Sequence, residues 1–143
     1  MAADALYSSA LLGLAVELAR YPLDEQANVR GSARSRTCGS AIDLSVILDP
    51  SERIERTGMR VSACAVGQAA AAIFARGAAG RNAADLNRAR QSVLTWLEGA
   101  GDLPPWPGFD LLEPARPHRG RHAAILLPWN AALDALSRKE KAG

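Results

Sequence analysis

Residues 41–75 read AIDLSVILDPSERIERTGMRVSACAVGQAAAAIFA, and the succession of patterns inside them decides the fold. Ile42, Leu44, Val46 and Leu48 alternate with Asp43 and Ser45, the period of two that marks a half-buried strand. Asp49-Pro50-Ser51-Glu52 follows, with a proline that fixes φ and short polar side chains that bond to nearby backbone, so a turn is expected there. Ile54 to Ala63 returns as a partner strand, with Met59, Val61 and Ala63 on one face. Two strands and a tight turn predict an antiparallel hairpin. At Ala65 the period changes: the alanine-rich run to Ala75 predicts a helix, ended by Gly77 and Gly80.

Working outward, Asp4 to about Tyr21 is predicted to be helical. Leu6, Ala10, Leu14 and Leu18 recur every four residues, Leu11 widens the stripe, and Tyr21-Pro22 stops it. The polar stretch Asp24 to Ser35 is expected to form at most an edge strand. Downstream, Asn82 caps another helix, with Asp85 in its first turn and Leu86, Arg90, Val93 and Leu97 along one face. Gly99 to Gly108 holds three prolines and three glycines and reads as a loop. A last helix is expected from near Ile125 to about Arg138, with Leu126, Trp129, Leu133 and Leu136 buried and Pro128 in its first turn. The order predicts an α+β fold: a small antiparallel sheet of about three strands with helices packed on one side, one domain over residues 1–143.

Composition bounds the function. With 143 residues and 48% hydrophobic content, the chain can bury roughly two-thirds of its unfolded surface without disulfide or metal support. A net charge of +2, from 17 basic and 15 acidic residues, provides no large field for gripping nucleic acid. The basic group Arg116, Arg119 and Arg121 has no interleaved aromatic platform, which argues against RNA and for a solvated face or an acidic partner. No apolar run is long enough to span a membrane. Ala10–Val16 is short, lacks a basic leader and is broken by Glu17, so it is expected to be a core helix and the protein cytoplasmic.

The chemistry-bearing residues are few. Cys38 lies in Thr37-Cys38-Gly39-Ser40, just before the first strand of the hairpin; Cys64 lies between the hairpin and the alanine-rich helix. If residues 32–37 pair beside the hairpin, both thiols reach one edge of the sheet. Cys64 then also sits at a helix N-terminus, which favours a thiolate, and Arg34 and Arg36 add positive charge near Cys38. Such a pair suits a soft metal or an iron–sulfur cluster. The alternative is that both are ordinary buried cysteines, since no Cys-x-x-Cys spacing is present. His122, after Arg119 and Arg121, is a further candidate ligand or a base beside Cys64; His118 reads as a surface residue. No Gly-x-Ser-x-Gly, phosphate-cradling glycine loop or His-Glu-x-x-His is present.

Thr37-Cys38-Gly39-Ser40 before a hairpin, then Val61-Ser62-Ala63-Cys64-Ala65-Val66-Gly67-Gln68-Ala69 opening an alanine-rich helix, resembles the IscU/NifU N-terminal type of iron–sulfur cluster assembly scaffold. Leu126-Leu127-Pro128-Trp129-Asn130-Ala131-Ala132-Leu133 resembles that family's closing helix. The resemblance spans roughly residues 4–138 and implies cluster or iron binding by Cys38 and Cys64. It implies no enzymatic turnover, partnership with a cysteine desulfurase and with cluster acceptors, and a monomer or homodimer. Relative to the pattern the resemblance implies, three positions are altered: the Asp after Cys-Gly is Ser40, the third Cys is Ala124, and the neighbouring His is Ala123. His122, two residues before Ala124, is the candidate substitute for the missing third metal ligand if the chain bends differently there. The same fold also admits a zinc-binding persulfide acceptor, or a metal-free interaction module of the assembly machinery.

Overall fold

The structure, a computed structural model, describes residues 8–36 and 39–142, with side chains described as far as Lys139. Strands β1 (Val29–Arg34), β2 (Ala41–Leu48) and β3 (Ile54–Ser62) form one sheet in the order β1-β2-β3. Both pairings are antiparallel, with Arg34 opposite Ala41 and Ala41 opposite Ser62. The expected edge strand is therefore real, and so is the hairpin. Its turn is organised by Asp49, whose Oδ1 accepts from the backbone N–H of Ser51 (2.8 Å) and Arg53 (3.0 Å). Glu52 takes the left-handed φ of 64° that the turn demands.

Four α-helices accompany the sheet: α1 (Ser9–Glu17), α2 (Ala65–Ala78), α3 (Ala83–Leu97) and α4 (His122–Ala142). Helix α4 packs on β1 and β2 and α2 packs on β3, while α1 packs on α2 and α3 on α4. Ile42, Leu44 and Val46 of β2 point into this helical layer and are buried. Asn82 and Asp85 form the reciprocal capping box that opens α3. Arg76 of α2 binds both carboxylate oxygens of Glu17 of α1, at 2.6 and 3.0 Å, and these bonds hold the Glu17 carboxyl below its ordinary pKa.

Several expectations need correction. The described part of the first helix starts at Ser9, capped by Ser8, and tightens into a 3-10 turn at Leu18–Arg20; Asp4 and Leu6 lie outside the described residues. Ala10 is exposed, because the helix buries Leu11 and Leu14 instead. Gly77 does not end α2. It lies inside the helix, where a Cβ would fall 2.5 Å from Nε1 of Trp106. That tryptophan belongs to the segment expected to be loop, yet it is buried and donates its indole N–H to the Ile73 carbonyl (2.8 Å). With Phe74, Phe109 and Trp129 it forms an aromatic core with ring centroids 5.2–5.9 Å apart. Helix α4 starts at His122, before the expected position, so Pro128 sits within it and cannot donate to the Ala124 carbonyl.

The tightest contact joins β1 to α4. A Cβ on Gly31 would lie 2.4 Å from both the Ala131 carbonyl oxygen and the Ala135 nitrogen, which are backbone atoms with no rotamer to yield. Gly13, on the exposed side of α1, has nothing within 4 Å of the place a Cβ would occupy. Gly31→Ala is expected to destabilise the fold by about 3 kcal/mol, at the upper end of ordinary overpacking costs. Gly13→Ala is expected to stabilise it by about 0.5–1 kcal/mol through helix propensity. Urea unfolding of the two variants checks both signs.

Candidate functional site

The ends of β1, β2 and β3 that meet at Arg34, Ala41 and Ser62 bring three chain segments together. The first is the β1–β2 connection, closed by a hydrogen bond from the Ser35 N–H to the Ser40 carbonyl (2.8 Å). Within it Gly39 takes φ 67°, a left-handed conformation that glycine adopts without strain. Cys38 belongs to this connection but lies outside the described residues. Ser40 in the same connection is buried. Arg34 and Arg36 are exposed at the same end of the sheet.

The second segment carries Cys64, two residues beyond the end of β3. Cys64 is the N-cap of α2, with extended backbone (φ −66°, ψ 171°). Its carbonyl accepts from the Gln68 N–H (2.9 Å), so the backbone opens the helix. Its thiol makes no capping bond and is partly exposed, while the residue packs against the hydrophobic core. Gln68 braces the junction by donating its side-chain Nε2 to the Ala63 carbonyl (2.8 Å). The free cysteine thus stands between a strand end and a first helical turn, two rigid supports.

The third segment is the start of α4. A Cβ on Gly67, one turn after Cys64, would lie 3.3 Å from the Ala124 Cβ and 2.8 Å from the Ala63 Cβ. The glycine therefore lets α4 approach α2 beside Cys64, and the buried Ala124 fills the gap with a methyl group. Ala124 thus lies beside the first turn after Cys64, and its methyl group offers no donor.

His122 is differently engaged. Its Nε2 lies 2.6 Å from the Arg116 carbonyl oxygen, which can only accept, so Nε2 carries the proton and Nδ1 is the nitrogen left for other use. Arg116 is itself folded back: its Nε donates to the Trp96 carbonyl (2.8 Å) and its guanidinium lies 4.8 Å above the Trp96 ring. It is therefore a structural residue rather than a member of a solvated basic face. His118 contributes its backbone, donating to Ala115 (2.9 Å). Among the described residues no three His, Cys, Asp or Glu side chains converge as a metal cluster. Sequence patterns single out Cys64 but not Gly67 and Gln68, whose roles depend on contacts with Ala124 and Ala63.

Comparison with known proteins is informative through structure. No protein-family model and no curated protein sequence matches the chain. A nitrogen-fixing NifU-like protein (N-terminal) from Brucella abortus is similar over 100% of both chains, with a TM-score of 0.85 and 26% identity. A protein from the thermophile Fervidobacterium islandicum, described as a putative iron–sulfur cluster assembly scaffold for the SUF system, matches with a TM-score of 0.80 and 17% identity. That match covers 93% of this chain and 98% of the other. A hypothetical protein shares the fold at a TM-score of 0.68 and 17% identity, over 90% of this chain and 98% of its own.

The partial exposure of Cys64 gives an expected outcome. In a Cys38→Ser variant, one equivalent of thiol reacts with Ellman's reagent under native conditions, without denaturant. A thiol that reacts only after unfolding would assign Cys64 to the sealed core.

Proposed function

We propose that the chain is a divergent member of the IscU/NifU N-terminal-like family and acts as an iron–sulfur cluster assembly scaffold or carrier, a reading supported by its likeness to the NifU-like structure. One observation carries the reading: the connection that contains Cys38, the half-buried Cys64 and the Ala124 end of α4 share one end of the sheet. Rigid elements there present a thiol without enclosing it.

In this reading the cluster is cargo. Sulfur arrives as persulfide from a cysteine desulfurase by thiol exchange, in which the sulfane sulfur moves to a scaffold thiolate and the donor leaves as its own thiolate. A dithiol reductant then cleaves that persulfide, leaving as a disulfide while sulfide is released and the scaffold thiolate is regenerated. Iron and this sulfide assemble on Cys38 and Cys64, and ligand substitution by an acceptor protein's thiols carries the cluster away. Iron–sulfur clusters are ordinarily held by four thiolates, and this chain has two cysteines. Ser40 and Ala124 supply neither the carboxylate nor the third thiolate of the family pattern. His122 Nδ1 is the available extra donor within the chain, and a second copy brings two more thiols.

Anaerobic reconstitution with iron and sulfide tests this. The expected result is visible charge-transfer absorption that is abolished by Cys64→Ala and by Cys38→Ala. Ala124→Cys is expected to lengthen the lifetime of the loaded species several-fold, because it adds a thiolate beside the first turn of α2. Size analysis of the loaded protein distinguishes a three-donor site with His122, which leaves a monomer, from a four-thiolate site shared with a second copy. Retained zinc with no colour would replace this reading with a zinc-dependent persulfide acceptor. If neither metal is held and both cysteine variants still bind the assembly partners, the chain is an interaction module.

A further inference from the structure

A cavity of about 270 Å³ lies between α3 and the segment that ends at Trp106. It is remote from Cys64 along the sheet: the carbonyl of Arg81, on its rim, accepts from the N–H of Ile54 (2.8 Å), the first residue of β3, whereas Cys64 follows the last. The walls are apolar where Ala89, Val93, Pro104 and Trp106 line them.

The unusual feature is how Arg81 is held. Its guanidinium carbon lies 4.2 Å from the centroid of the Trp106 ring, and its Nε donates to the Gly77 carbonyl (2.8 Å). Trp106 is in turn fixed, by its bond to Ile73 and by stacking on Phe74 at 5.5 Å and 14°. The close approach that Gly77 permits is what brings the indole under the guanidinium. No carboxylate pairs with Arg81 among the described residues. Asp85, the acidic residue of the cavity, already accepts from the Asn82 N–H, Arg53 and Arg88. The cavity therefore offers a flat, oriented pair of terminal N–H₂ groups beside an apolar wall, with Arg88 reinforcing the positive sign.

We propose that this cavity binds a small organic carboxylate. Its two oxygens pair with the terminal nitrogens of Arg81, and its apolar body lies against Val93, Ala89 and Pro104. The fork geometry matches a planar carboxylate, and because stacking has already restricted the side chain, little freedom is lost on binding. A neutral isostere leaves the guanidinium unpaired, and an inorganic anion leaves the apolar wall uncovered. The volume, just below the range of roughly 300–1,000 Å³ usual for drug-sized ligands, restricts the body to a short branched chain or a single ring. The site is independent of cluster assembly, and its test uses no metal.

The experiment is an NMR titration of the full ¹⁵N-labelled chain with 3-methylbutanoate, with 3-methylbutanamide and inorganic phosphate as separate arms. The expected result is saturable shifts of the Trp106 indole and Arg81 Nε signals by 3-methylbutanoate, with a Kd on the order of 1 mM. The amide and phosphate are expected to bind at least tenfold more weakly. Arg81→Lys, which keeps the charge but loses the fork and the stacking, is expected to weaken binding at least tenfold. Ala89→Leu fills the cavity while leaving Arg81 in place and is expected to remove binding, so the proposal remains testable if the Arg81 variant misfolds. Absence of saturation, equal binding of the amide or phosphate, or full binding by a folded Ala89→Leu variant would overturn it.

Discussion

The fold depends on helices that approach their neighbours without intervening side chains. Helix α4 meets β1 at Gly31, where backbone lies against backbone, and α2 meets the start of α4 at Gly67. Ala131, Ala132 and Ala135 continue the small-residue surface of α4, and Ala69 to Ala72 do the same for α2. Close approach gives high packing density at the cost of tolerance: a single methyl at Gly31 has no space to enter. It also fixes the candidate site, since the same α4 that is clamped on β1 brings Ala124 to the first turn of α2. The surroundings of Cys64 are thus set by the rigid part of the molecule.

The strands of the hairpin, its turn and the helix that follows were legible in residues 41–75 because each rests on contacts local in sequence. Alternation in β2, the Asp49 turn and the Asn82–Asp85 cap all involve neighbours a few positions apart. Gly77 and Trp106 were not legible for the opposite reason. A glycine ends a helix or admits a close neighbour, and only the tertiary partner decides between them. Here the partner is a tryptophan supplied from a proline-rich segment, pulled into the core by its area and by the Ile73 carbonyl. The early start of α4, which puts Pro128 beyond the first turn, is not legible because that turn is His/Ala sequence without apolar periodicity.

For the site, the sequence located Cys64 at a helix start and the structure adds its exposure, the brace from Gln68 and the neighbouring methyl of Ala124. In the proposed role two cysteines make a thinner donor set than the four thiolates of an ordinary cluster, and fewer protein ligands make cargo easier to surrender by ligand exchange. The proposed carboxylate cavity is at the other end of the sheet and draws on different residues, so the two properties are separable by mutation.

The central claim is that Cys38 and Cys64 stand within reach of one another in the folded chain. Dibromobimane, which becomes fluorescent when it bridges two adjacent thiols, measures this directly on the metal-free native protein. The account predicts a fluorescent intramolecular adduct in which a peptide containing Cys38 is linked to one containing Cys64, lost when either cysteine is replaced by serine. Two separate single-thiol adducts, with no bridge formed, would contradict it.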